Sequence, residues 1–154
     1  MRILILEDNA DRQVEMSAVL RDRFPYPIEF FSAAAPMLAR IQDSGLEEVA
    51  AIILDHDLEM LRGGAGDWID PGSGQDIVHF LKSLWPGPPV VIHTTNRAAG
   101  DSMEALLRES GWSVSRVVPY GDLEWIRETW FRTVRNAIVE TVPIPLPTPA
   151  TSAP

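Results

Sequence analysis

The sequence predicts an α/β fold, an open doubly wound sheet of five parallel strands in the order 2-1-3-4-5. Three observations lead there. Short apolar runs alternate five times with segments of helical character. The runs are almost continuously apolar rather than alternating, which marks strands covered on both faces. The chain has 154 residues, 45% of them hydrophobic, which fills one core and is too short for two catalytic domains. Right-handed crossovers then place helices on both sides of the sheet.

Met1–Leu6 is the first strand, ended by Glu7-Asp8-Asn9. Asn9 or Asp8 caps a helix from Ala10 to Phe24, with Val14, Ala18 and Val19 on its apolar side, and Pro25 and Pro27 stop it. Ile28–Phe31 is the second strand. A weaker helix runs from Ser32 to Ile41, with Pro36 in its first turn and Gly45 past its end. Ala50–Leu54 is the third strand, and it runs into Asp55-His56-Asp57. A glycine-bearing loop covers residues 59–73; loops of that length are often lids or binding loops. Gln75–Trp85 is helical, Pro89–Thr94 is the fourth strand, and Asp101 with Glu104 reads as a capping box for a helix ending at Gly111. Val114–Val118 is the fifth strand, and Asp122 caps a last helix to about Glu140. Residues 1–140 thus form one domain. The Pro-rich stretch over 141–154 is expected to be an extended, mobile tail.

Composition removes several function classes. With no cysteine there is no disulfide, thiolate nucleophile or Cys-based metal centre. A net charge of -9 disfavours direct duplex DNA binding. No apolar run reaches the ~18 residues of a membrane span, and no secretory signal is evident, so a soluble cytoplasmic protein without membrane partners is expected. The thirteen basic residues are twelve arginines and one lysine, Lys82.

In open parallel sheets ligands bind beyond the C-terminal strand ends, where the strand order reverses. There the sequence places Glu7 and Asp8 after the first strand, Asp55, His56 and Asp57 after the third, and Thr94, Thr95 and Asn96 after the fourth. Carboxylates brought together either take up protons or share a cation. Oxygen ligands without thiolate favour Mg²⁺ or Mn²⁺, so Glu7, Asp8, Asp55 and Asp57 are the candidate metal ligands. Helix capping is the plainer role for Asp8. His79 falls mid-helix and reads as solvated or packing. In the loop, Asp67 and Asp70 read as solvated, and Trp68 is either a stacking surface or a hydrophobic pin.

Leu-Glu-Asp-Asn after the first strand, Ile-Ile-Leu-Asp ending the third, Thr94 after the fourth and Val-Val-Pro after the fifth together resemble a response-regulator receiver domain over residues 1 to about 140. The resemblance implies a flavodoxin-like receiver fold in which Glu7 and Asp8 bind Mg²⁺. It implies that Asp55 ligates the metal and accepts a phosphoryl group, that Asp57 gives a backbone carbonyl, and that Thr94 touches phosphoryl oxygens. A sensor kinase would be the partner, and receivers often pair through their fourth and fifth strand–helix units. The lysine that receivers carry before the fifth-strand proline is replaced by Val118; Arg97 and Arg116 are the candidate substitutes for binding phosphate.

Leu54-Asp55-His56-Asp57-Leu58, the glycine-bearing loop, Gly74-Gln75-Asp76-Ile77, and His93-Thr94-Thr95-Asn96 with Gly100 and Met103 are similar to a divergent branch, the cyclic-phosphate-processing receiver domains. This implies phosphodiester hydrolysis of a small phosphorylated or cyclic-phosphate ligand. His56 and His93 end adjacent strands, and two imidazoles beside a metal suit general acid–base work. Asp55, His56, His93, Thr94 and Asn96 are therefore the candidate catalytic residues. His93 reads equally as a core histidine, and Asn96 as a turn residue rather than a phosphate or sugar ligand. Two other readings stand beside this one: a stand-alone response regulator phosphorylated on Asp55, and a pseudo-receiver binding module. Trp125, Trp130 and Phe131 on the last helix are either core or a homodimer surface.

Overall fold

The computed structural model describes residues 1–141. The expected tail therefore lies outside the described residues, apart from Thr141, which ends the last helix. The chain runs β1 (Arg2–Leu6), α1 (Ala10–Arg21), β2 (Ile28–Phe31), α2 (Ala34–Ser44), β3 (Val49–Leu54), β4 (Leu61–Arg62), β5 (Trp68–Ile69), α3 (Gly74–Leu81), β6 (Val90–His93), α4 (Arg97–Glu109), β7 (Val114–Val117), a π-helical segment (Ile126–Trp130) and α5 (Phe131–Thr141). Five strands form one sheet in the order β2-β1-β3-β6-β7, and every pairing in it is parallel. Counting only these strands, this is the expected 2-1-3-4-5 order.

Because successive side chains of a strand face opposite ways, residue parity assigns each to a layer. Leu4, Leu6, Ile52, Leu54, Val90, Ile92 and Val114 pack with α2, α3 and α4. Ile3, Ile5, Ala51, Ile53, Val91 and Val117 pack with α1, the π segment and α5. The same parity gives Glu7 and Asp55, one residue past β1 and β3, and His93, the last residue of β6, all of them buried. The sheet thus aims three polar groups into the α1/α5 layer.

Several local expectations change. In α1 the buried residues are Met16, Val19 and Leu20; Val14 is 70% exposed and Ala18 is also exposed. Of the residues expected on the apolar side only Val19 is buried, and Met16 and Leu20 complete the face that enters the core. Helix α2 starts at Ala34 rather than Ser32 and has no side-chain cap; the carbonyl of Pro71 accepts the Ala34 N–H at 2.8 Å instead. Helix α4 starts at Arg97, where Asn96 accepts the Ala99 N–H at 3.0 Å. Asp101 and Glu104 therefore lie inside the helix and form no capping box. Among the described residues a capping box is made by Ser73 with Asp76 at the start of α3.

The loop over 59–73 contains an antiparallel hairpin, β4 with β5, in which Arg62 opposes Trp68. The Arg62 guanidinium sits 4.7 Å from the Trp68 ring centroid. Trp68 is 61% exposed, so it is not a core pin. Asp122 does not cap the final helix, which enters through the π segment. The extra residue per turn there rotates the register. As a result Trp125, Ile126, Trp130, Val134 and Ile138 all reach the sheet. Trp125 and Trp130 are fully buried and Phe131 partly so, which makes these aromatics core rather than an exposed pairing surface.

The α1 assignment has a direct test. Met16→Ala is expected to lower the unfolding free energy by about 2–5 kcal/mol. Val14→Ala should change it by about 0.5 kcal/mol or less. Urea denaturation of both variants reads the difference.

Candidate functional site

Two neighbouring strands deliver the two central carboxylates. Glu7 follows β1 and Asp55 follows β3, and the two strands pair directly, Leu6 opposite Leu54. The Asp55 N–H continues the ladder to the Leu6 carbonyl at 3.0 Å. His93 arrives from β6 on the other side of β3. One ligand atom each from Glu7, Asp55 and His93 lie within 4.8 Å of one another, a grouping that can hold a metal ion.

Each member is fixed by its surroundings. One oxygen of Glu7 accepts the Asn9 N–H at 3.0 Å, and the other lies 2.9 Å from His93 Nε2. Gln13 donates to the Glu7 carbonyl at 2.6 Å, and Asn9 caps α1 through the Arg12 N–H. Asp55 accepts the His56 N–H at 2.7 Å. The imidazole of His93 lies between Trp125, at 5.5 Å, and Trp130, at 6.3 Å between ring centroids. The Trp130 indole N–H donates to His93 Nδ1 at 3.3 Å.

Arg12 is the cation of the site and is not legible as such in the sequence. Its guanidinium lies 3.5 Å from Glu7 and 3.9 Å from Asp55, and 5.2 Å from the Trp125 ring centroid. Only its place in the first turn of the helix after β1 hints at this role.

The two carboxyls respond differently to burial. For Glu7, burial pushes the pKa up, but the His93 hydrogen bond, aided by Asn9 and Arg12, outweighs it and holds the group below the usual carboxylate range. Asp55 is pushed up to about 6, first by burial and then by the Glu7 charge, against the opposing pull of His93, the His56 N–H and Arg12. Two adjacent buried carboxylates with one partial counterion leave uncompensated negative charge. A divalent cation is the group that relieves it, and the donor set fits one.

The remaining candidates divide clearly. Asp8 accepts the Glu59 N–H, which ties the start of the 59–73 segment to the β1 end. Asp57 meets His56 Nδ1 at 2.8 Å. Neither side chain belongs to the buried cluster, so the all-oxygen ligand set expected from Glu7, Asp8, Asp55 and Asp57 is not assembled by these rotamers; a histidine stands in the group instead. Thr94 is buried, and its hydroxyl oxygen accepts the Asn96 N–H at 3.0 Å. Asn96 is engaged as the α4 cap. Arg97 is exposed in the first turn of α4. Arg116 shares the parity of Val114 and so faces α4, where it binds Asp101 at 2.5 Å and Glu104 at 3.3 Å, on the opposite side of the sheet from Glu7 and Asp55. His79 is exposed near the end of α3. Asp70 accepts the Gly72 N–H at 2.8 Å beyond the hairpin.

The glycines of the sequence motif have a steric purpose. A Cβ on Gly74 would overlap the Asp55 backbone carbonyl oxygen and stand 2.7 Å from the Met103 methyl. Helix α3 thus abuts the strand end that carries Asp55, with Met103 of α4 behind it. A Cβ on Gly100 would overlap the Arg116 guanidinium.

Fold and site together define a receiver-type domain. Residues 2–109 match the family model described as the cyclic-phosphate processing receiver domain, and the chain belongs to that family. A comparison with curated proteins found no match. Among solved structures, the chain is similar to a response regulator receiver domain from Rhodospirillum rubrum, at 17% identity and a TM-score of 0.63, covering 94% of this chain and 96% of that one. It is also similar to the Mn²⁺-bound form of the response regulator Rcp1, at 18% identity and a TM-score of 0.62, covering 94% and 99%. A CheY-like receiver from Methanospirillum hungatei JF-1 gives 16% identity and a TM-score of 0.60, covering 90% and 97%. At these identities the likeness establishes the shared fold.

The raised Asp55 has a stability consequence. The folded protein holds that proton up to about pH 6, whereas an unfolded aspartate releases it near 3.8. Stability of the metal-free protein therefore falls as pH rises through that window and stays lower above it. The side chain is 8% exposed, so solvent screens little of the effect. Asp55→Asn, which can still accept the His56 N–H, is expected to stabilise the metal-free protein at pH 7 by on the order of 2–3 kcal/mol. Denaturation curves at pH 4 and pH 7 should show the gain at the higher pH only.

Proposed function

We propose that the chain binds Mg²⁺ or Mn²⁺ at Glu7 and Asp55 and hydrolyses a phosphodiester bond of a small cyclic phosphate. The observation that carries this reading is the convergence of two buried carboxylates on one strand-end site, directly followed in the chain by a His56–Asp57 pair. The family description supports the substrate class, and the Mn²⁺-bound receiver of the same fold supports the metal. An acidic chain suits a small ligand better than a long nucleic acid.

A divalent ion at this site would neutralise charge on the phosphoryl oxygens. The chain's own groups supply the rest. The Arg12 guanidinium offers a second positive charge to those oxygens. Thr94 already accepts a hydrogen bond from Asn96, so its own O–H is left to donate to a phosphoryl oxygen. His56 Nδ1 lies against the acceptor-only carboxylate of Asp57 and so carries the ring proton, leaving the Nε2 lone pair to act as base. As a water oxygen bonds to phosphorus, its proton passes to Nε2, the P–O bond to the ring oxygen breaks, and solvent protonates the departing alkoxide. His93, buried against Glu7 and Trp130, takes no proton from water in this scheme.

With 2′,3′- and 3′,5′-cyclic nucleoside monophosphates as probes and Mn²⁺ present, turnover is expected, and His56→Ala should reduce it by roughly 10²-fold or more. Asp55→Ala should abolish it. The receiver fold favours a second reading, in which Asp55 is phosphorylated by a sensor kinase in a signalling relay. Stable labelling of Asp55 by acetyl phosphate, unaffected by His56→Ala and without turnover of any cyclic phosphate, would select that reading instead.

A further inference from the structure

The residues around His93 carry a second conclusion, one that rests on the proposed metal site for its setting. His93 is fully buried and makes two polar contacts. Its Nε2 lies 2.9 Å from a Glu7 oxygen, and its Nδ1 receives the Trp130 indole N–H at 3.3 Å. Indole nitrogen is only ever a donor, so the ring nitrogen that it meets bears no proton. The proton of the neutral ring is then on Nε2, pointing at Glu7. Trp125 does not compete for this arrangement, because its own N–H donates to the Asp122 carbonyl at 3.2 Å.

This order of donors is the reverse of what a metal-binding histidine needs. A histidine that ligates through one nitrogen donates its other N–H to a carboxylate, carbonyl or water. Ligation through His93 Nε2 would move the proton to Nδ1 and set it head-on against the Trp130 N–H. Turning the ring over would put carbon against both Glu7 and the indole. Although His93 falls within the distance of a metal ligand, its hydrogen bonds argue for a different task.

We propose that His93 is a positioning residue, held by Trp130 as the Nε2–H tautomer so that it donates to Glu7, and that it is neither a metal ligand nor the general base. One Glu7 oxygen is thereby occupied by His93 while the carboxylate as a whole stays aimed at Asp55. Trp130 belongs to the π segment, and neither residue 125 nor 130 falls within the residues 2–109 matched by the family model. The tautomer lock is thus a feature of this chain's C-terminal helix, and the register shift of the π segment is what brings the indole to the imidazole.

Two measurements test this. Long-range ¹H–¹⁵N correlation spectra of the protein, metal-free and with saturating Mg²⁺, should show His93 protonated at Nε2 alone in both states. Calorimetric titration with Mn²⁺ should find His93→Gln within about threefold of the wild type, since a glutamine amide offers the same donor to Glu7 and an acceptor to Trp130. His93→Ala should lose roughly 10–100-fold, the usual effect of removing a group that orients a ligand. A proton on Nδ1 in the metal-free protein overturns the proposal. So does loss of the Nε2 proton on Mg²⁺ binding, or a glutamine variant, folded by its spectrum, as weak as the alanine one. Failure of the wild type to bind either ion would instead remove the phosphoryl-handling function, while the metal-free spectrum would still decide the tautomer.

Discussion

Two carboxylates buried side by side are the constraint around which this end of the molecule is built. Glu7 and Asp55 end neighbouring strands at the same height and on the same face, so the sheet itself forces them together. Like charges in a poorly hydrated place repel strongly, and a protein tolerates them only with compensation. The compensation is visible. Glu7 is given the Asn9 N–H and the His93 imidazole. Asp55 is given the His56 N–H. Arg12 reaches both from α1. What these donors leave unbalanced falls on Asp55, whose proton is retained to about pH 6. The group of Glu7, Asp55 and His93 is one that can hold a metal ion.

Most of the sheet was legible because buried parallel strands advertise themselves as apolar runs, and strand order follows from short right-handed crossovers. In the structure Ile3, Ile5 and Glu7 on one strand, Ile53 and Asp55 on the next, and Val91 and His93 on the third share one layer, an alternation that the apolar runs alone do not display. The helices were less legible. In α1 the expected apolar side of Val14, Ala18 and Val19 holds only for Val19, and Met16 and Leu20 are the other buried residues. The Asp101 and Glu104 spacing imitates a capping box, yet those carboxylates are used on Arg116. A two-residue strand pair such as β4–β5 has too few positions to leave a periodic signal.

The site followed the same division. Strand position brings Glu7, Asp55 and His93 together, whereas the sequence groups Glu7, Asp8, Asp55 and Asp57 as metal ligands and leaves His93 open between a catalytic and a core role. Residues that arrive from helices are not legible: Arg12 looks like any of twelve arginines in the sequence, and Trp130 reaches His93 from the π segment of the final helix. Asp8 and Asp57 stand at the expected places but spend their oxygens on Glu59 and His56. The two histidines, alike in sequence, differ in surroundings. His93 is sealed between indoles, while His56 is partly open to solvent and backed by a carboxylate. Val118 occupies the place of the receiver lysine, and Arg116 is turned to the far side of the sheet.

The most direct test is a crystal structure of the protein grown with Mn²⁺ and measured at the manganese absorption edge. One anomalous peak between the Glu7 and Asp55 carboxylates, with His93 Nε2 still on Glu7, is the predicted result. Well-ordered carboxylates with no peak between them, or a peak centred on residues outside that pair, would contradict the account.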